Sequence, residues 1–155
     1  MIRFERVPHP EEGAERGTGK DFECGHNRER RYFSVNLLLI AIGGALGSVA
    51  RYLLSTFVLR VTGTLFPLGT FVVNVIGCLV FGAIAGAAIQ RVQLTPALRL
   101  FLLTGILGGF TTFSSYAFES YLLVRDGQLL WASINVVGQV VAGLAGMWAG
   151  YAVAS

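Results

Sequence analysis

Residues 105–120 read "GILGGFTTFSSYAFES", a run of glycines, hydroxyl side chains and one glutamate inside a chain that is otherwise apolar. Gly108 and Gly109 lie side by side and weaken an α-helix at that point. The hydroxyls of Thr111, Thr112, Ser114 and Ser115 can hydrogen-bond backbone groups that a break sets free, so the stretch predicts a discontinuous membrane helix. Such a break exposes carbonyl oxygens suited to a hard cation such as Na⁺ and N–H groups suited to an anion. A simple kink, with the hydroxyls bonded back to their own helix, is the plainer alternative. Phe113 and Tyr116 are three residues apart and share a helix face. Aromatic rings on one face commonly serve packing, but a ring edge carries partial positive charge and can hold a small anion weakly enough to release it.

The surroundings make this a membrane problem. Of the 155 residues 54% are hydrophobic and 14% charged, which is too apolar for an ordinary soluble domain and enough for four crossings. Charge-poor runs place the helices at about 34–59, 66–90, 97–124 and 128–153, all α, with the broken one third. Connections are short: Gly63 and Pro67 precede the second helix, Thr95 and Pro96 supply the N-cap and first residue of the third, and Asp126 with Gly127 forms a turn. Residues 1–33 carry seven basic and seven acidic side chains and little apolar periodicity, and read as a flexible polar tail without a secretory signal. Cys24 and Cys78 form neither a disulfide framework nor a zinc set.

Each predicted helix carries glycines four apart: Gly43 and Gly47, Gly82 and Gly86, Gly105 and Gly109, Gly146 and Gly150. Small residues one turn apart let helix backbones approach closely where lipid supplies little drive for association. The set predicts a tight bundle, and a bundle this small leaves little room for an internal pathway unless it is an oligomer. Outside the tail, Arg91 and Arg99 mark one membrane side and Arg60 and Arg125 the other, so the loops set no orientation. Arg28, Arg30 and Arg31 pull the other way and favour a cytoplasmic N-terminus.

Four polar features sit within the spans: Arg51 in "GGALGSVARYLLS", Asn74 in "PLGTFVVNVIG", the hydroxyl run, and Gln139 in "NVVGQVVAG". Polar groups are expensive in lipid and turn towards a protein interior or a solute path. Arg51 reads either as a snorkelling charge or as a pathway residue. For Asn74 and Gln139 an interhelical hydrogen bond competes with a solute contact.

The segments "GGALGSVARY", "PLGTFVVNVIG" and "GGFTTFSSYAFE" resemble, in order and on the same helices, the signatures of the Fluc/CrcB fluoride channels, over about residues 36–153. The resemblance implies an antiparallel dual-topology dimer, a homodimer if one chain supplies both orientations, with two fluoride pores and a central Na⁺ where the two broken helices cross. It implies that Gly108 and Thr111 give backbone carbonyls to Na⁺. Asn74 would bond fluoride or orient a pore aromatic, and Phe113 would turn a ring edge to the ion. Thr112, Ser114 and Ser115 would belong to the polar track, Arg51 to a vestibule, and Gln139 to the place of a pore-facing serine. Tyr116 departs from the pattern, which has a second phenylalanine there; its hydroxyl needs a partner and could itself donate to fluoride.

Fluoride would leave a cell passively, in a multi-pass protein of the inner membrane, with no enzyme chemistry. No phosphate loop and no nucleophile paired with a base are present, both histidines lie in the tail, and nothing indicates a nucleic-acid partner. A proton-coupled multidrug exporter would need a carboxylate in the first helix, which has none. A non-transporting assembly subunit could use the glycines but would have no need of the hydroxyl-rich break.

Overall fold

The computed structural model describes residues 19–64, 66–90 and 94–155, and among these the regular structure is entirely helical. The chain divides into two units, Met1–Ser34 and Val35–Ser155. In the first, residues 19–34 are helical, where the sequence predicts a flexible tail; residues 1–18 lie outside the described residues. Extending a helix already nucleated by an apolar span adds one hydrogen bond per residue fixed, so polar composition alone does not end it.

The elements are α1 (Gly19–Thr62), α2 (Leu68–Gln90), α3 (Pro96–Arg99), a π-helical segment (Leu100–Leu107), α4 (Gly108–Phe110), α5 (Phe113–Arg125) and α6 (Leu129–Ala154). Four stretches are long and apolar enough to cross a membrane: Arg31–Thr62, Leu68–Ala88, Pro96–Arg125 and Leu129–Ala154. Boundary chemistry follows the sequence. Thr95 caps α3 by accepting from the Leu98 N–H, with Pro96 as the first helical residue. Gly63 and Gly127 take the left-handed backbone, φ +57° and +74°, that closes α1 and α5. Arg91 lies outside the described residues.

The glycine pairs explain which spans touch. A Cβ on Gly43 would lie 2.8 Å from the Phe101 carbonyl oxygen, one on Gly47 would overlap the Ile106 carbonyl, and one on Gly109 would lie 2.5 Å from the Gly44 carbonyl oxygen. A Cβ on Gly86 would lie 2.7 Å from the Tyr151 carbonyl oxygen, and Cβ atoms on Gly82 and Gly150 would overlap the carbonyls of Met147 and Leu79. The first span is therefore packed backbone-to-backbone on the third, and the second on the fourth.

Burial is inverted relative to a soluble domain. Among the described residues the buried apolar side chains are Val73, Leu107, Leu123 and Ala132, while Thr70, Thr112, Ser120, Asn135 and Gln139 are buried polar ones. Large apolar residues such as Leu46, Phe57, Val140 and Trp148 face outward, as a lipid solvent requires.

Candidate functional site

The third span breaks at Thr111 and Thr112, not at the paired glycines. Gly108 is helical (φ −63°, ψ −37°), whereas Thr111 (φ −79°, ψ 157°) and Thr112 (φ −149°, ψ 114°) are extended. Gly109 instead admits the first span to close approach, and Ser48 Oγ donates to its carbonyl at 3.4 Å. The chain restarts helically because Thr112 is an N-cap: its Oγ1 accepts from the Ser115 N–H at 3.2 Å. Before the break, the Thr111 N–H and Oγ1 both donate to the Leu107 carbonyl, at 3.0 and 2.9 Å.

Asn74, on α2, holds the break open. Its Oδ1 accepts from the Thr112 N–H at 2.9 Å and its Nδ2 donates to the Thr112 carbonyl at 3.1 Å. The side-chain amide thus pairs with an extended residue as the peptide of a neighbouring strand would. The consequence for the carbonyls is specific. In an unbroken helix the Thr112 N–H would reach the Gly108 carbonyl and the Ser115 N–H the Thr111 carbonyl. Here the first goes to Asn74 and the second to Thr112 Oγ1, so Gly108 and Thr111 lose those helical donors.

Behind Asn74 lies a buried amide chain. Asn74 Nδ2 also donates to Gln139 Oε1 at 2.7 Å, Gln139 Nε2 to Asn135 Oδ1 at 3.0 Å, Asn135 Nδ2 to Ser120 Oγ at 2.9 Å, and Ser120 Oγ to the Tyr116 carbonyl at 2.8 Å. Both Asn74 N–H groups and its oxygen are occupied within the chain, so donating to an ion would mean giving up a partner. Gln139 is likewise buried in this network.

Two clefts flank the break and share Thr112. One, of about 440 Å³, is lined by Arg51, Ser48, Ser55, Thr70, Ser115 and Glu119 among others, and is rich in hydroxyls. Glu119 accepts from Thr70 Oγ1 at 2.6 Å; its Oε2 is buried without a hydrogen-bond partner. The other cleft, of about 310 Å³, carries Asn74, Gly108, Thr111, Phe113 and Tyr116 with apolar neighbours. The Phe113 and Tyr116 rings are 5.5 Å apart and tilted by 53°. The Tyr116 hydroxyl donates to the Val136 carbonyl at 3.3 Å. Phe113 is 79% exposed and Ser114 is exposed on the single chain, and Thr112 Oγ1 lies 3.3 Å from Ser114 Oγ and 3.0 Å from Ser115 Oγ.

The residues singled out from sequence therefore collect around one break, with Arg51 opening onto the hydroxyl-rich side and Gln139 set behind Asn74. Asn135, Ser120 and the Thr70–Glu119 pair were missed. For Asn135 a signal existed: it stands one turn before Gln139 on an apolar helix, so the two amides share a face.

Comparison with known proteins places the chain in a family. The family model described as CrcB-like protein, Camphor Resistance (CrcB), matches residues 38–151. A protein of Maridesulfovibrio salexigens named fluoride-specific ion channel FluC is 50% identical over 108 residues, covering 70% of this chain and 86% of that protein. Proteins of the same name from Nitratidesulfovibrio vulgaris and Methylobacillus flagellatus are 49% and 47% identical over 114 and 116 residues, covering 74% of this chain in each case and 92% and 91% of those proteins. With four membrane-length helices, a third span broken at paired threonines and a family match across nearly the whole membrane unit, the chain belongs to the CrcB family.

Proposed function

We propose that this chain is a fluoride-selective channel of the bacterial inner membrane that lets F⁻ leave the cytoplasm passively. The observation that carries the reading is the break at Thr111–Thr112, with hydroxyls and two aromatic rings in the same clefts as carbonyls relieved of their helical donors. Hydrogen fluoride enters a cell neutral and dissociates near neutral pH, trapping the anion; a negative-inside potential then drives F⁻ out through an open path.

Among the described residues no group of three or more His, Cys, Asp or Glu side chains could hold a metal. The donor set that fits is instead backbone oxygen, and Gly108 and Thr111 would hold a Na⁺ through their carbonyls. Bound there, Na⁺ would supply fixed positive charge to the cleft that carries Gly108 and Thr111, whose lining among the described residues includes no Lys, Arg or His side chain. Two carbonyls are few for a hard cation, and a second copy would double them. A second copy would also cover Phe113 and Ser114, which stand exposed on the single chain. Balanced loop arginines suit an antiparallel homodimer; a paralogue of fixed orientation is the alternative.

Within each chain, Thr112, Ser114 and Ser115 offer hydroxyl donors in place of water, Phe113 and Tyr116 offer ring edges, and Arg51 attracts anions to the hydroxyl-rich cleft. Asn74 and Gln139 keep the threonine backbone where these groups converge. The decisive experiment is efflux from liposomes containing the full chain, fluoride against chloride, with and without external Na⁺. Fluoride efflux well above protein-free vesicles, chloride efflux at background and loss of flux without Na⁺ are expected. Equal passage of both anions, or of neither, would overturn the reading.

A further inference from the structure

The buried amide chain has a direction, and the direction is set at its far end. The Tyr116 carbonyl can only accept, so Ser120 spends its single hydroxyl hydrogen there. Ser120 Oγ must then accept from Asn135, which turns the Asn135 oxygen towards Gln139. Gln139 in turn presents nitrogen to Asn135 and oxygen to Asn74, which leaves Asn74 with nitrogen on the Thr112 carbonyl and oxygen on the Thr112 N–H. If any amide in the sequence inverted, two N–H groups or two oxygens would face each other away from bulk solvent, since Asn135 is 0% exposed and Gln139 8%.

We infer that Asn135 and Ser120 are positioning residues of the helix break: they fix the orientation of the Asn74 amide, which takes the Thr112 N–H from the Gly108 carbonyl and holds Thr112 as the extended N-cap that takes the Ser115 N–H from the Thr111 carbonyl. The chain begins at Thr112 and ends at Tyr116, so it ties the start of α5 to its own next turn by way of α2 and α6. Neither residue touches the break, and each acts through the amide in front of it. The inference rests on the reading that those carbonyls bind Na⁺.

The test uses the purified full chain in detergent, with thermal unfolding followed by fluorescence of Trp131 and Trp148 across a Na⁺ titration at constant ionic strength with K⁺. The wild type is expected to show a saturable Na⁺-dependent rise in Tm. Asn135→Leu, which removes donor and acceptor alike, is expected to raise the Na⁺ midpoint about tenfold, and Ser120→Ala several-fold. Ser120→Thr retains the hydroxyl and is expected to return the midpoint to within twofold of wild type. A wild-type Na⁺ midpoint that neither Asn135→Leu nor Ser120→Ala moves by more than twofold overturns this inference alone. Should Asn135→Leu fail to fold, the Ser120 pair decides it. A wild-type chain that conducts fluoride but shows no Na⁺-dependent Tm overturns the sodium reading itself, and the positioning role with it.

Discussion

At the scale of single residues, Tyr116 separates two roles for a hydroxyl. Its O–H donates to the Val136 carbonyl at 3.3 Å, so it acts as a strut to α6, and its ring remains beside Phe113. Losing one such bond costs about 0.5–1.5 kcal/mol. Tyr116→Phe is expected to fold and to conduct fluoride at an altered rate in liposome efflux. A dead variant would mean that the hydroxyl itself handles the ion, whereas a fast variant beside an inactive parent would mean that the parent is not a working homodimer. Asn74, Gln139 and the threonines were legible as residues out of place in lipid. Their pairing was not, because hydropathy marks a polar residue without saying which neighbour satisfies it. Asn74 shows the gap: a solute contact and a helix contact read alike in sequence, and only the geometry fills both of its N–H groups from within the chain.

At the scale of elements, the glycines divide into tolerant and intolerant positions that the sequence does not distinguish. Gly44 has open space where a Cβ would go, while a Cβ on Gly47 would overlap the Ile106 carbonyl and lie 2.8 Å from the Phe110 nitrogen. Gly47→Ala should therefore destabilise the fold by about 1–3 kcal/mol, as overpacking does, and Gly44→Ala by much less. Thermal unfolding of the two variants side by side checks this, and equal effects would contradict the packing described. The caps at Thr95, Pro96 and Gly127 were readable because each depends on local chemistry. The π-helical turns of Leu100–Leu107 were not, since "LFLLTGIL" is apolar around most of its circumference and its pattern carries no mark of an i→i+5 ladder. The same local reasoning misplaced the break by a few residues: glycine lowers helix propensity, but the backbone leaves the helix where Asn74 can pair with it.

At the scale of the whole molecule, four spans and their membrane setting followed from composition and run length, while the number of copies and their orientation depend on surfaces that one chain leaves uncovered. If one gene product supplies both members of an antiparallel pair, reporters fused to the C-terminus and active only on one side of the membrane should each give signal. Signal from one reporter alone would mean that Arg28, Arg30 and Arg31 fix the orientation and that a partner chain of opposite topology is required. The close packing of first span on third and second on fourth has a consequence for biogenesis. Spans leave the insertion machinery in order, so the first two emerge beside each other with their glycine faces unmatched. Neither couple can close until its later member arrives, and the last-made span completes the second. A ribosome stalled before α6 would therefore leave three inserted helices with one couple docked and α2 still lacking its mate, a state for membrane proteases to recognise.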